Sequence, residues 1–525
     1  MMTTRSGKEE GRSGERNSIG AFYAGRSILI TGATGFLGKV LVEKLLRSCP
    51  DVRELFLLMR PKKGLSIDDR LRQMVRLALF DKLREENPSS FEKLVPVLGD
   101  TSVEGLGIPA IERRTITERV SVIFNVAANV RFDENLKKDV FSNTRSTRDM
   151  CILAASMKNL VALVHVSTAF AHVDKPVIEE ILYPPDADWK SVIRTVENLD
   201  EQTLRLFCSK YLGSMPNTYT FSKRLAEQVV TDYSTHLPSV IFRPSIVIST
   251  VAEPVTGWLD NFNGPVGMMV GGGKGILRVA LINPQVVADF LPVDVAIKGM
   301  ITAAWKRGLE TVTKQPEVHV YNCTAHGIKR FHINEVVEMG MRNAEKIPLE
   351  GIVWYPRTML TTNRLLHYTL TLLIHLLPAL LIDGLLKAAG KEPKLVKIQK
   401  AIYSSMVQLS HFLHHEWSFR NSKMLAILTT DLPPAERNIF GYEYYNFDAE
   451  RYFENCLIGA KRYLLGEDMN RVKETKRHYD RMRLIDRIFN GCLIVSLAWI
   501  LGKAGFFSYA LGLVRSLADG SFFTA

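Results

Sequence analysis

The amino-acid sequence predicts an α/β protein with a doubly wound parallel sheet. Two observations predict this fold class. Short apolar runs rich in β-branched residues recur at the spacing of βα units. The first of these runs leads directly through a glycine-rich turn into a helical pattern, which is the local order of a nucleotide-binding βαβ unit.

The first unit begins with the apolar run Ser27–Thr31 and continues into the helical pattern Lys39–Leu46. The turn between them has the spacing Gly-x-x-Gly-x-x-Gly. Glycines allow a tight turn and let the backbone approach a pyrophosphate, whose charge the helix N-terminus stabilises. The sequence therefore predicts a Rossmann-like dinucleotide site, with cofactor-binding residues Gly32, Thr34, Gly35, Phe36, Leu37 and Gly38.

The end of the second predicted strand, Glu54–Met59, indicates which dinucleotide binds. An NAD enzyme carries an acidic residue near this position, for the ribose 2′-hydroxyl. This chain instead has Arg60, followed closely by Lys62 and Lys63. Cations at this position favour the 2′-phosphate of NADPH, and the alternative interpretation is a solvated basic loop.

Three further strands are predicted, and each ends in a residue suited to a binding crevice. Asp100 is expected near the adenine, whereas Ala127 and Ala128 allow close approach of the nicotinamide ribose. Thr168, or alternatively Ser167, offers a hydroxyl to a substrate carbonyl oxygen. The strands are Leu94–Leu98, Ser121–Val126 and Leu160–Val166.

Tyr219 and Lys223 lie four residues apart, so on a helix their side chains share one face. An ammonium group beside a phenol favours the phenolate, and we expect Lys223 to lower the pKa of Tyr219 towards neutrality. Such a pair is suited to proton transfer at a carbonyl group. An amphipathic surface pair is the alternative, but the glycine turn and Thr168 earlier in the chain favour the catalytic interpretation.

Together these motifs resemble an extended short-chain dehydrogenase/reductase. More narrowly, the chain resembles the alcohol-forming fatty acyl-CoA reductases, also called the male-sterility family, over almost everything after residue 20. The wider resemblance rests on Thr31–Lys39, Val166–Ala169, Tyr219–Lys223 and Arg243–Ser245; the narrower one on Leu45–Pro50, Val130–Asn135, Gly257–Pro265, Gly273–Arg278, Leu291–Val295, Val320–Cys323 and the segment from about Pro348 to Gly466.

The resemblance implies roles for the matching positions. Tyr219 is expected to act as the acid, Lys223 as its electrostatic partner and a ribose ligand, and Thr168 as the hydroxyl that orients the carbonyl group. Pro244 and Ser245 are expected to contact the cofactor. Phe170 departs from the family, because many relatives have tyrosine there.

The implied reaction is the reduction of long-chain fatty acyl-CoA by NADPH to a primary alcohol and coenzyme A. It proceeds through an aldehyde in two hydride transfers. The alternatives are a reductase that stops at the aldehyde and a catalytically idle, membrane-bound acyl-CoA binding protein. A nucleotide-sugar epimerase is disfavoured by Arg60 and by the apolar tail described below.

Four parts are predicted along the chain. They are a disordered polar tail (1–20), an NADPH-binding reductase domain (21–345), a mostly helical C-terminal domain (346–470) and a basic segment with a membrane anchor (471–525). The apolar stretch 488–514 is expected to span once or to form a hairpin, with a buried helix as the alternative. A second apolar stretch, Leu365–Leu386, contains two histidines, a proline and an aspartate, so interfacial packing is favoured over spanning.

Composition limits the partners and the kinds of site that the chain is expected to have. The net charge of +12 concentrates around the expected phosphate contacts and before the apolar tail, so nucleic acid is not the expected partner. Six isolated cysteines argue against a disulfide framework, and no metal site is expected from the cluster His411–Glu416. The basic segment predicts a cytosol-facing catalytic domain at a membrane, the endoplasmic reticulum being favoured over the peroxisome. Oligomeric state and acyl-chain preference are not predicted.

Overall fold

The computed structural model describes residues 18–310, 317–327, 330–442, 448–503 and 505. Residues 1–17 of the predicted polar tail lie outside the described residues. The same holds for residue 504 and for residues 506–525 of the predicted membrane anchor.

Among the described residues, seven parallel strands form the main sheet, in the order β12-β7-β5-β4-β1-β2-β3. The order reverses between β1 and β4, which opens a crevice at the carboxyl ends of the strands. The predicted doubly wound α/β fold is confirmed. The strands are β1 (Ser27–Thr31), β2 (Glu54–Met59), β3 (Leu94–Leu98), β4 (Val120–Asn125), β5 (Ala162–Val166), β6 (Val177–Ile178), β7 (Ser239–Pro244), β8 (Ile246–Ile248), β9 (Val279–Leu281), β10 (Val287–Ala288), β11 (Phe290–Pro292), β12 (His319–Cys323), β13 (Phe331–His332), β14 (Met359–Thr361) and β15 (Ser418–Phe419).

Helices cover both faces of the sheet, each over its own apolar core. Up to residue 310 they are α1 (Ile19–Tyr23), α2 (Phe36–Ser48), α3 (Ile67–Val75), α4 (Asp81–Glu86), α5 (Ala110–Arg119), α6 (Leu136–Asp139), α7 (Ser146–Ala155), α8 (Trp189–Asn198), α9 (Glu201–Leu212), α10 (Thr218–Tyr233), α11 (Pro265–Gly273) and α12 (Val293–Glu310). Helices α2 and α12 pack on one face of the sheet, and α7 and α10 on the other.

The C-terminal region is mostly helical, as predicted. Its helices are α13 (Ile333–Lys346), α14 (Arg364–Leu370), α15 (Leu377–Ala388), α16 (Leu395–His414), α17 (Ser422–Leu428), α18 (Arg437–Phe440), α19 (Ala449–Gly459) and α20 (Val472–Lys503). A π-helical turn, Thr371–Leu376, joins α14 and α15 into one helix.

This region returns to the sheet domain at several points. Strand β14 pairs with β9 and β15 pairs with β6, while α17 shares the apolar core of α12. The end of α16 also reaches the sheet domain, where Phe412 contacts Phe132 and Phe170, residues that follow β4 and β5. The predicted domain boundary near residue 345 remains a prediction.

Candidate active site

The glycine turn after β1 has the shape that a pyrophosphate requires. Gly32 adopts a φ of +69°, and a Cβ there would lie 2.8 Å from the backbone nitrogen of Ala127. A Cβ on Gly38 would lie 2.2 Å from the carbonyl oxygen of Gly32. The turn therefore needs glycine at both positions, because side chains would push the loop out of the crevice. Helix α2 begins at Phe36, and its N-cap Gly35 makes no side-chain cap, so the first helical N–H groups face the turn.

A cationic cluster lies beside this turn, at the end of β2. Arg60 Nη1 donates to Asp100 Oδ2 at 3.0 Å, and Arg70 Nη2 donates to Thr34 Oγ1 at 2.9 Å. Arg70 also donates to the carbonyl oxygen of Arg60. Partial burial would raise the pKa of the Asp100 carboxyl, but hydrogen bonds from Ser102 and Arg60 hold this pKa below its usual range. Arg70 was missed in the sequence because it follows Arg60 by ten residues, on α3.

The ends of β1, β4 and β5 are joined by side chains. Thr31 Oγ1 donates to Asn125 Oδ1 at 2.8 Å and accepts from the backbone N–H of Ala127 at 3.0 Å. Asn125 in turn contacts His165 Nδ1 at 3.2 Å. Ala127 and Ala128 thus follow β4 at the crevice, as expected from the sequence. Pro244 and Ser245 stand at the end of β7, two strands further along the sheet.

Tyr219 lies in the first turn of α10, and the Thr168 hydroxyl is the neighbouring polar side chain that acts on its phenol. Asn217 caps this helix by accepting from the backbone N–H of Thr220 at 2.9 Å. Burial raises the pKa of Tyr219 to about 12, although the hydrogen bond from Thr168 lowers it. The predicted lowering of this pKa by Lys223 was wrong for the protein alone. A phenol with so high a pKa stays protonated at neutral pH and acts as a donor.

Lys223 shares the face of α10 with Tyr219, but its ammonium group is held elsewhere. Its Nζ donates to the carbonyl oxygen of Val166, the last residue of β5, at 2.7 Å. The side chain is almost fully buried, and burial lowers the pKa of Lys223 to about 8, while the nearby Glu227 carboxylate opposes that decrease. This contact explains why the ammonium does not act directly on the phenol.

A buried ionic network lies beneath Lys223, one helical turn further along α10. Glu227 receives two hydrogen bonds from Arg243, Nε to Oε1 at 2.9 Å and Nη2 to Oε2 at 2.7 Å. Ser167 Oγ donates to Glu227 Oε1 at 2.5 Å, and His172 Nε2 lies 2.9 Å from Glu227 Oε2. Burial alone would raise the pKa of Glu227, but Arg243 and His172 hold it well below its usual range. The i+4 spacing of Lys223 and Glu227 was the available sequence signal for this network.

Aromatic rings line the crevice on the substrate side of Tyr219. The Phe132 ring lies 5.5 Å from Tyr219 and stacks on Phe412 of α16, centroid to centroid, at 5.4 Å. Phe170 meets Phe412 edge to face at 5.5 Å, and Phe412 also contacts Trp417. The ring of Phe170 thus makes an apolar contact in the wall of the crevice. An aromatic wall built from two regions of the chain is suited to an apolar substrate.

The residues present fit a nicotinamide dinucleotide. The Gly32–Gly38 turn leaves backbone space that a Cβ would fill, an uncapped helix N-terminus faces it, and Arg60 and Arg70 lie beside it. At the end of β5, two strands from β1, stand Thr168, Tyr219 and Lys223, whereas Asp100 lies beside Arg60. In the part of the chain that the structure describes, no group of three or more His, Cys, Asp or Glu side chains has metal-binding geometry.

Comparison with known proteins identifies the family. A family described as male sterility protein matches residues 30–300, and a second family of the same description matches residues 374–467. Fatty acyl-CoA reductase 1 of Homo sapiens is 37% identical over 482 residues, which cover 92% of this chain and 93% of that protein. Fatty acyl-CoA reductase 1 of Xenopus laevis has the same identity and coverage. Fatty acyl-CoA reductase 2 of Bos taurus is 35% identical over 485 residues, again 92% of this chain and 93% of that protein.

Solved structures show the same fold at low identity. The terminal R domain from the myxalamid PKS-NRPS biosynthetic pathway has a TM-score of 0.53 at 20% identity, covering 83% of this chain and 90% of that one. The reductase domain of a non-ribosomal peptide synthetase from Mycobacterium tuberculosis has a TM-score of 0.53 at 19% identity, with 84% and 92% covered. These likenesses show the fold.

Proposed function

Because the chain belongs to the alcohol-forming fatty acyl-CoA reductase family and binds a nicotinamide cofactor, we propose that it uses NADPH, with Tyr219, Lys223 and Thr168 as the catalytic residues. The reaction is the reduction of fatty acyl-CoA to fatty alcohol. The family resemblance found in the sequence is confirmed by the relatives, and so is the assignment as an oxidoreductase.

One observation carries the assignment of the catalytic residues. The Thr168 hydroxyl lies close enough to the phenol of Tyr219 to lower its pKa, and Thr168 follows β5, which is separated from the strand of the glycine turn by β4 alone. Both groups can donate to one carbonyl oxygen placed between them and the cofactor. Negative charge develops on that oxygen during reduction, and each positioned donor contributes about 3 kcal/mol to stabilising it.

The chain's own groups then account for the proton chemistry. NADPH, when bound, supplies the hydride for both reductions. In the first, Tyr219 and Thr168 stabilise the negative charge on the thioester oxygen until the carbon–sulfur bond breaks, the aldehyde forms and coenzyme A leaves as its thiolate. In the second, Tyr219 donates its proton to the aldehyde oxygen. Lys223 supplies a positive charge at the end of β5, and its role as a ligand of a ribose hydroxyl follows from the family resemblance.

The preference for NADPH is supported by Arg60 and Arg70. Two guanidinium groups lie at the position where a 2′-phosphate is expected, and the only carboxylate hydrogen-bonded to Arg60 there among the described residues is that of Asp100. Guanidinium groups bind phosphate through two parallel hydrogen bonds. Asp100 would release Arg60 to the phosphate while it remains bound to Ser102.

The chain also carries apolar surface consistent with membrane attachment. Among the residues that the structure describes, two helices are long and apolar enough to cross a membrane, Arg364–Ala388 and Met469–Lys503. The basic residues between Arg471 and Arg487 precede the apolar part of α20, an order that favours a cytosolic catalytic domain. We place the anchor in the endoplasmic reticulum rather than the peroxisome, as the sequence favours.

A product assay tests the proposal. Full-length protein in vesicles is given palmitoyl-CoA with NADPH or NADH, beside Tyr219→Phe, which removes only the phenol hydroxyl. We expect hexadecanol with NADPH at two cofactors per alcohol, and a loss of at least about 100-fold in the variant. Hexadecanal as the sole product would mean that the enzyme releases the aldehyde and does not carry out the second reduction. Full activity of Tyr219→Phe would overturn the assignment of the acid.

A further inference from the structure

The helix Arg364–Ala388 presents its apolar side chains to the outside and its polar side chains to the protein. Six of its leucines are at least half exposed: Leu365, Leu373, Leu377, Leu380, Leu381 and Leu385. By contrast, His367, Thr371, His375 and Asp383 are each at most 8% exposed. A surface helix of a water-soluble protein has the opposite arrangement.

Specific bonds fix this orientation. His375 Nε2 accepts from the backbone N–H of Arg278 at 2.9 Å and of Val279 at 3.2 Å. The Asp383 carboxylate accepts from the N–H groups of Lys394, Leu395 and Val396, at 2.8 to 3.0 Å, and so caps α16. His367 stacks on Tyr403, with ring centroids 5.8 Å apart. The polar side chains attach the helix to the protein along its whole length, so its leucines must face outward.

The apolar part of α20 leaves the protein beside this helix. Phe489 packs edge to face on Trp354 at 5.5 Å, and Asp486 accepts from the Trp354 indole. The Arg278 guanidinium lies 4.9 Å from the centroid of the Trp354 ring, and the backbone of Arg278 donates to His375. Trp354 and Arg278 therefore connect the two apolar helices, which lie on the same side of the protein.

Charge identifies what covers this surface. Five exposed lysines follow the leucines, with Glu392 as the exposed acidic residue among them, paired to Lys394 at 3.1 Å. Lys387, Lys397 and Lys400 line an open hollow of about 600 Å³ at the end of the helix. Leucines bordered by lysines match a bilayer whose headgroups carry negative charge. The remaining lysines are Lys391 and Lys394.

We propose that Arg364–Ala388 lies in the plane of the same bilayer that receives the tail, as a second, interfacial attachment. Its leucines enter the acyl region, and the lysines lie at the level of anionic phosphates. Asp383 then fixes the start of α16 at the membrane surface. The other end of that helix carries Phe412 to the aromatic wall, about 30 Å away for its 20 residues. The bilayer thereby sets the distance between the lipid surface and Tyr219.

Spin-label depth measurements test this placement on the full chain. The labels are attached to Leu373→Cys and Leu381→Cys, in a background of Cys208→Ser and Cys492→Ser that removes the more accessible native cysteines. Vesicles contain phosphatidylcholine with phosphatidylserine. Leu493→Cys reports the tail, and Arg205→Cys reports an exposed site on α9, with a side chain 75% exposed. We expect both leucine positions to lie about 5–10 Å below the phosphates, and Arg205 to lie in water.

Two outcomes would overturn the inference. A depth that rises to the bilayer centre near Leu377 and falls again on both sides would mean that the helix spans. Labels at 373 and 381 that meet neither lipid nor water would mean that protein covers the face. If Leu493→Cys also stays out of lipid, the membrane attachment given under the proposed function fails as well. If only the labels at 373 and 381 stay out of lipid, this inference is overturned, but the membrane attachment through the tail stands.

Charge gives a second, independent readout. The triple variant Lys387→Gln, Lys397→Gln, Lys400→Gln keeps polar side chains, each one atom shorter, and removes three positive charges. In the wild type we expect the label at 381 to lie deeper as phosphatidylserine is added, and in the triple variant we expect no change. An equal response of both proteins would contradict the role given to the lysines.

Discussion

Lys223 Nζ donates to the carbonyl oxygen of Val166 at 2.7 Å, which joins the catalytic helix to the end of β5. The ammonium is buried, and Glu227 is the acidic group that supports its charge, one helical turn away. The charge of Lys223 therefore depends on Glu227, a residue that does not touch the reacting atoms. Glu227 is a positioning residue, and the pH dependence of the reaction should reveal it.

Glu227→Gln should move the alkaline limb of the pH profile to lower pH. Burial lowers the pKa of Lys223 to about 8, and loss of the Glu227 charge lowers it further, so the ammonium deprotonates earlier. The measurement is kcat/KM from pH 6 to 9.5, with NADPH saturating. Glu227→Asp keeps the charge and should restore most of the limb. An unchanged limb in Glu227→Gln, with activity reduced equally at every pH, would indicate a packing role alone.

Arg60→Ala and Arg70→Ala should each weaken the binding of NADPH more than that of NADH. A hydrogen bond to a charged group is worth about 1.5–3 kcal/mol, so KM for NADPH should rise about 10- to 100-fold while KM for NADH changes little. Arg53→Ala is the matched control, because Arg53 precedes β2 at the opposite edge of the sheet, with a side chain 59% exposed. Equal losses with both cofactors would contradict recognition of the 2′-phosphate.

Much of the fold was predictable because parallel strands are short, apolar and followed by small or polar residues. The structure begins and ends β1, β2 and β3 at the residues that the sequence predicted. Strand β4 is shifted by one residue and β5 begins two residues later, because Val120 joins its strand and Leu160 does not. The edges of a strand depend on pairing with neighbours, which hydrophobic periodicity does not describe.

The site was predictable only where its residues are close in sequence. Tyr219 and Lys223 follow from helical spacing, but Phe412 reaches the same crevice from almost two hundred residues away, through packing that no local pattern describes. The direction of the pKa shift of Tyr219 also depends on the spatial surroundings of the phenol, which the sequence does not give. Burial raises it, and the carbonyl group of Val166 captures the ammonium that was expected to lower it.

Phe412→Ala should reduce use of long-chain substrates. The ring stacks on Phe132 and meets Phe170 edge to face, and such pairs are worth about 0.5–1.5 kcal/mol each. We expect kcat/KM for palmitoyl-CoA to fall about 10-fold. Phe207→Ala, on the exposed surface of α9, is the control and should have no effect. An equal loss with butyryl-CoA would show that Phe412 supports the site rather than the acyl chain.

Asp139→Asn should stabilise the protein most at neutral pH. Burial raises the pKa of Asp139 to about 6, against the hydrogen bonds from Thr218 and Asn129. The folded state therefore binds a proton that the unfolded state has already released between about pH 4 and 6. The protonated Asp139 carboxyl contributes to the stability of the wild type below pH 4, and this contribution is lost as the pH rises through 6. Asparagine lacks this dependence.

The test compares thermal midpoints of the two proteins in detergent from pH 4 to 7.5. The thermal midpoint of the variant should rise relative to that of the wild type as the pH increases from 4 to 6. The difference between the two midpoints should stay constant above pH 6. Other titrating groups are common to both proteins and cancel. A difference that is independent of pH would contradict a raised pKa at Asp139.

Gly38→Ala should abolish cofactor binding, because the added Cβ would collide with backbone on two sides. It would lie 2.2 Å from the carbonyl oxygen of Gly32 and 2.7 Å from Cα of Ala33, and neither atom can rotate away. The turn must therefore open, which removes the approach that a pyrophosphate requires. We expect fluorescence titration with NADPH to show no saturation, and stability to fall by about 1–3 kcal/mol. Gly340→Ala, in α13, is the control, since a Cβ there meets no atom within 4 Å and helix propensity favours alanine. Normal NADPH affinity in Gly38→Ala would mean that the dinucleotide binds away from this turn, whereas weak binding in both variants would point to a general loss of folding.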